Sequence, residues 1–275
     1  MSAIYENAVD SLRIGMKFFL EERSYSNHKH AILTLFHAIE LFLKERLAQA
    51  NPLLIYKNID VKIADDSQTV GVREALARLE NLGLGVPADE KKIIEDIQRI
   101  RNRIEHHRYD HSEKEDNATI AASLKFIMYF VEFALERKLD GHIEASILRE
   151  INNRVFEYNE RSALAEHRLH EWLHSRWPDW NAEQEDTPKE FEGTLPCPEC
   201  RQDWLVIGWH EKPFCFHCNT TVDASVCEEC CATFVIDNGC GCGKYPGKDD
   251  GRIQALLDQM RGQAIREREA RDKRE

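Results

Sequence analysis

Apolar residues recur every three or four positions through most of the first 177 residues, the spacing of helices that bury one face. Ile4, Ala8, Leu12, Met16 and Phe19 predict a first helix from about residue 3 to 22, which Ser24 to Asn27 breaks. A second, from about Asn27 to Ala50, carries Ala31, Leu35, Ala38, Ile39, Phe42, Leu43 and Leu47 and stops before Asn51-Pro52. Pro52 to Gln68 has no clear period and reads as a loop. Thr69 is a candidate cap for a short third helix with Val72, Leu76 and Leu79 facing inward and Gly83 at its end. Pro87 stands at the favoured first-turn position of a fourth helix, whose inward stripe is Ile93, Ile94, Ile97, Ile100 and Ile104.

A polar link from Asp110 to Asp116 precedes a fifth helix, about Asn117 to Leu139, that is apolar on nearly every side. Such a helix is central to a bundle or shared with a partner chain, and the second case would suit a dimer. Helical periodicity returns from Ile143 to Trp177, with a candidate break near Asn159. Pro178 to Pro196 is polar, acidic and proline-bearing, the composition of a linker. The predicted organisation is therefore a mainly α chain: a helical bundle over 1–142, a helical extension over 143–177, a linker over 178–196, a small β ribbon over 197–248 and a charged helical tail over 249–275.

All nine cysteines lie between Cys197 and Cys242. Paired C-x-x-C spacing in one short segment of an otherwise cysteine-free chain points to metal ligands rather than disulfides. Cys197, Cys200, Cys215 and Cys218 have the spacing of a four-thiolate zinc site, with Trp204 to Trp209 as a strand between the pairs. Cys227, Cys230, Cys240 and Cys242 form a second candidate set around a strand at Thr233 to Ile236, and Cys231 is left over. Four thiolates leave no open coordination position, so the expected zinc, one or two ions, is structural. His210 and His217 are expected to be ordinary surface or packing residues.

The net charge of −12 argues against a protein that coats nucleic acid through a broad basic surface, so any such contact must be local. Cysteine usage and an N-terminus without a basic head or apolar stretch lead to the expectation of a cytoplasmic protein. The most apolar run, Ala118 to Leu135, is interrupted by Lys125 and Glu132 and is short for a bilayer, so no membrane partner is expected.

Against this acidic background, Arg99 to His111 concentrates four arginines and three histidines where the fourth helix should run out. Guanidinium forks and imidazoles suit bound phosphate and proton exchange near neutral pH. An arginine followed after four residues by a histidine is a weak signal, with roughly one chance match expected from this composition. Three occur: Arg23 with His28, Arg101 with His106, and Arg137 with His142. The first and third straddle predicted helix ends, where solvated or capping residues are expected. The second is followed by Asn102, which lies one helical turn from His106, while Arg101 is about 140° away around the axis. A solvated cationic face on a bundle helix accounts for these residues as well as catalysis does.

The string Arg101-Asn-Arg-Ile-Glu-His106 resembles the R-[polar]-x3-H motif of HEPN domains, an all-helical ribonuclease family that includes toxins and phage-defence effectors. His30 to Arg46, with Ala38, Glu40 and Lys44, resembles the second helix of that family. The likeness spans about residues 3 to 140. It implies metal-independent cleavage of RNA by a homodimer with its sites at the interface, and an antitoxin or other regulatory protein as a further partner. His106 would act as base or acid, Arg101 would stabilise charge on the phosphate, and Asn102 would position it. A tyrosine two residues after the histidine occurs in some members; here Tyr109 follows His107 at that distance, which keeps His107 and Tyr109 as alternative catalytic residues. A non-catalytic adaptor, joining a helical dimerisation module to a zinc ribbon that binds nucleic acid or protein, is the competing expectation. A zinc-dependent enzyme is the third.

Overall fold

The computed structural model describes residues 2–21, 24–64, 66–106, 112–177, 194–207, 212–230, 233–236, 239–240 and 242–244. These are mainly helical, with small antiparallel sheets among the cysteines. His107, Tyr109, Trp209, His210, Cys231, most of the linker and the charged tail lie outside the described residues. Two compact units divide the chain, Met1–Asn159 and Glu160–Glu275.

In the first unit, α1 (Ala3–Leu20) starts where the Ser2 hydroxyl accepts the Tyr5 N–H at 3.2 Å, and α2 (Tyr25–Ala50) starts at Ser24 in the same way at 3.1 Å. The short connection sends α2 back along α1, so that Tyr5 meets Phe42 edge-on and Phe19 meets His28. Gly15 allows the closest approach, since a Cβ there would stand 3.0 Å from the Leu35 side chain. A 3₁₀ turn (Pro52–Ile55) follows inside the segment expected to be a loop. Helix α3 (Val72–Asn81) is capped not by Thr69 but at Gly71, whose N–H donates to Glu74 Oε2 at 2.8 Å. Thr69 instead accepts from Lys44 Nζ at 3.0 Å and pairs in a bridge with Tyr56.

Helix α4 (Ala88–His106) buries Ile94, Ile97, Ile100 and Ile104, as the isoleucine stripe predicts, and Ile93 is only partly buried. Helix α5 (Glu113–Tyr129) begins four residues earlier than its apolar pattern, because Ser112 caps it and accepts from the Glu115 N–H. Glu115 and Asp116, expected in a polar link, are consequently carried into the interior. A π-helical turn (Phe130–Ala134) follows and the helix ends there, short of Leu139. Helix α6 (Ala145–Arg176) is continuous through Asn159.

The core of this unit forms around α2, which packs against α1, α3, α4 and α5. Its buried charges are paired. Lys44 donates to Glu40 at 2.6 Å, and Glu45 receives the Ser2 hydroxyl and an ion pair from Arg137 at 3.0 Å. Arg137 also lies over the Tyr5 ring at 4.4 Å, and His142 meets that ring edge-on. The expectation that Arg137 is a solvated or capping residue is thus corrected, since it is partly buried between Glu45 and Tyr5, whereas His142 is exposed as expected, with its ring edge-on to Tyr5. His28 is corrected likewise, being buried with Nδ1 3.9 Å from Asp116 Oδ2.

In the second unit the ribbon packs on the C-terminal half of α6. Ala165, Trp172 and Leu173 of the helix bury against Val206 and Phe216, and Arg168 donates to the Phe216 carbonyl at 3.4 Å and to Asn219. Strands β1 (Leu205–Val206), β2 (Phe214–Cys215) and β3 (Thr220–Thr221) form one antiparallel sheet in that order. Strands β4 (Ala224–Val226) and β5 (Thr233–Val235) form a hairpin with Ser225 opposite Phe234. No helix among the described residues is long and apolar enough to cross a membrane.

Gly15→Val should overpack the α1–α2 contact and cost about 1–3 kcal/mol, read as a lower midpoint in urea unfolding with an unchanged slope. Asp116 offers a second test. Burial pushes its carboxyl up to about 7, against the pull of Arg103, whereas an unfolded aspartate titrates near 3.8. Between those values the native state binds more protons, so this residue's contribution to stability falls as pH rises through the window. Asp116→Asn removes that slope. Relative to wild type, its stability should improve by up to about 4 kcal/mol from pH 4 to 7.5, measured by chemical unfolding at each pH.

Candidate functional site

The two cysteine groups assemble as their spacing predicts. Cys197, Cys200, Cys215 and Cys218 bring their sulfurs within 4.8 Å of one another, and so do Cys227, Cys230, Cys240 and Cys242. In the first group, Sγ of Cys197 is 3.7 Å from that of Cys218, and Cys200 is 3.8 Å from Cys215. A zinc ion with bonds of about 2.3 Å would hold four sulfurs at tetrahedral edges of roughly 3.8 Å. The second group is tighter, with separations of 3.5, 3.4 and 3.3 Å. These distances are far beyond a disulfide bond, and all eight cysteines are free.

Local backbone makes three of the knuckles. Arg201, Asn219 and Gly243 each follow the second cysteine of a pair and take φ of +58°, +56° and +83°. That left-handed residue turns the chain so that the Arg201 N–H donates back to the Cys197 carbonyl at 2.8 Å and the Asn219 N–H to Cys215 at 2.9 Å. The sulfurs then converge. Cys197 and Cys218 are held below the usual thiol range, chiefly by hydrogen bonds from Cys200 and Cys197 respectively, while contact with Cys197 is the main cause raising Cys200 and Cys215. Four ionised sulfurs this close need a cation, and the donor set suits a thiophilic ion such as zinc. His217 is buried and stands outside both four-sulfur groups; burial pushes it down to about 4, so it is neutral.

The groups differ in access. Cys197, Cys200 and Cys215 are buried, whereas Cys230 and Cys242 are exposed. Both sets are complete with four sulfurs, an arrangement suited to holding the fold rather than activating water.

The last two turns of α4 bring Arg101, Asn102 and His106 together despite their angular separation. The Arg101 stem bends round so that Nη1 donates to Asn102 Oδ1 at 3.1 Å, and its guanidinium lies 5.7 Å from the ring centre of the buried Phe36 in α2. His106 projects into solvent with its side chain 65% exposed. Glu105, which sequence reasoning passed over, joins the group: its Oε2 is 2.7 Å from Arg101 Nη2 and 3.7 Å from His106 Nε2. Arginine and glutamate four apart on a helix were the signal that could have revealed it.

The neighbouring arginines are paired as well, Arg99 with Asp96 and Arg103 with Glu115. Arg103 is thereby tied to α5 beside Asp116 and His28. The run resembling a family second helix serves packing: Lys44, about 12 Å along α2 from Phe36 at 1.5 Å per residue, donates to Glu40 and to Thr69.

The chain matches no family model, no curated protein and no solved structure. Its chemistry is therefore read from its own residues.

Metal analysis of the purified chain should find two ions, and Cys200→Ser should lower this to one and lose the ribbon's protease resistance. A chelator should strip the ions in two phases, with the exposed second group first. Cys230→Ser should abolish the fast phase, measured with a colorimetric zinc indicator.

Proposed function

We propose that the helical unit is a metal-independent endoribonuclease of the HEPN type, acting as a homodimer, and that the cysteine segment is a zinc ribbon, with zinc held structurally in both groups, that engages substrate or a partner. The observation that carries this reading is the gathering of Arg101 and Asn102 beside an exposed His106 at the end of a helix whose other face is core. In this mechanism His106 takes the proton of a ribose 2′-hydroxyl as that oxygen attacks the adjacent phosphorus. The bond from phosphorus to the 5′ oxygen breaks, and that oxygen takes a proton from the protonated His106 of the second copy. The products are a 2′,3′-cyclic phosphate and a 5′-hydroxyl. Arg101 neutralises the charge that gathers on the phosphate, and Asn102 fixes the guanidinium. A role as a toxin or phage-defence effector, restrained by an antitoxin or regulator, accords with such an activity.

A second reading, an adaptor without catalysis, draws support from the ion pairs of Arg99, Arg101 and Arg103, which leave each of these three arginines with a carboxylate partner.

Cleavage of total RNA decides between them, in chelator too weak to remove cysteine-bound metal. Wild type should cut, and Arg101→Ala and His106→Ala should each lose about 10²–10⁴-fold in rate with unchanged dimer content and thermal unfolding. If all three leave RNA intact while folded and dimeric, the adaptor reading takes over.

A further inference from the structure

One carboxylate oxygen stands between the guanidinium and the imidazole of the α4 cluster. Glu105 Oε2, at 2.7 Å from Arg101 and 3.7 Å from His106, occupies the position that a phosphate oxygen touching both groups would take. Carboxylate and phosphate are alternative partners of the same guanidinium fork. We propose, resting on the ribonuclease reading of this site, that Glu105 is a resident substitute for the RNA phosphate, which must displace it to reach Arg101.

Three features make this exchange possible at Arg101 and not at Arg103. Glu105 is 31% exposed, so its carboxylate can swing into water, whereas the Glu115 partner of Arg103 is 2% exposed and fixed in the interior. Arg101 is held independently by Asn102 and the Phe36 ring, so the guanidinium stays in place when the carboxylate leaves. Glu105 also sits in the last turn of α4, where the helix dipole disfavours negative charge, so its attachment depends on Arg101. The outcome is a threshold for entry. A free anion or a lone phosphate competes poorly against a tethered carboxylate, whereas a strand with several phosphates supplies other contacts that offset the displacement.

The test is binding of a single-stranded RNA oligonucleotide 2′-O-methylated at every ribose, which lacks the attacking hydroxyl. Fluorescence anisotropy over a range of salt concentrations would compare wild type, Glu105→Gln, Arg101→Ala and the double variant. Glu105→Gln should bind about two- to five-fold tighter, the strength of a partly exposed ion pair. Its log affinity should fall with log salt at the wild-type slope, because the same phosphate reaches Arg101 in both, whereas Arg101→Ala should lower the slope by about 0.7 for one phosphate lost on a single strand. Arg101→Ala should bind more weakly, and adding Glu105→Gln to it should change nothing. Glu105→Ala, which removes the same carboxylate with a different shape, should repeat the gain. If Arg101→Ala weakens binding but neither Glu105 variant strengthens it, the substitute-phosphate role is overturned and the ribonuclease site stands. If Arg101→Ala leaves binding unchanged, Arg101 takes no phosphate and both readings fall.

Discussion

A helix surrounded by other helices cannot carry its charges to water, and α2 is surrounded along most of its length. Each polar group it buries must therefore find a partner on another element. Glu45 draws in Arg137 and the N-terminal Ser2, Lys44 draws in Thr69, and His28 lies against Asp116 of α5. These pairings tie the chain's start, the connection after α2 and the segment after α5 to one central rod. Apolar packing alone would leave the register of those segments open. Charge pairing in a low-dielectric interior selects among the registers, since a misplaced Arg137 would strand Glu45.

The same rod positions the candidate site. Arg101 rests on Phe36 of α2, so its guanidinium is supported by the bundle while its donors engage Asn102 and Glu105. His106, the last residue of α4, is open to water. The site thus combines a fixed cation with an accessible titratable group. Two further ionisable side chains, His28 and Asp116, lie just beneath it at the start of α2 and α5 and couple the end of α4 to the interior through Arg103.

Much of this was legible in the residues because periodicity reports burial. The stripes of α1 and α4 gave their positions to within about two residues, and the cysteine spacing gave both four-sulfur groups. What escaped was decided by contacts distant in sequence. Glu115 and Asp116 look like linker residues until Ser112 starts the helix ahead of them. Arg137 looks like a helix-end residue until the ring of Tyr5, more than a hundred positions earlier, packs against its guanidinium. Glu105 was overlooked because a motif defined by its two ends invites no question about what fills the middle. The ribbon strands proved only two or three residues long because metal-ligand knuckles, rather than extended pairing, shape that segment.

The π-helical turn at Phe130–Ala134 has a bearing on how this chain tolerates change in length. Its wide ladder, with the Leu135 N–H reaching back five residues to Phe130, is in effect a one-residue insertion in the closing turn of the helix. Phe133, within this turn, is turned to solvent with its ring tilted against that of Tyr129. Deleting a single residue there would restore ordinary helical spacing and rotate everything beyond it by about 100°. Arg137 would then point away from Glu45, and an acid at the centre of the bundle would lose its counterion. The turn is a spacer whose length is set by an ion pair, so the chain can drift in the sequence of this segment far more freely than in its residue count.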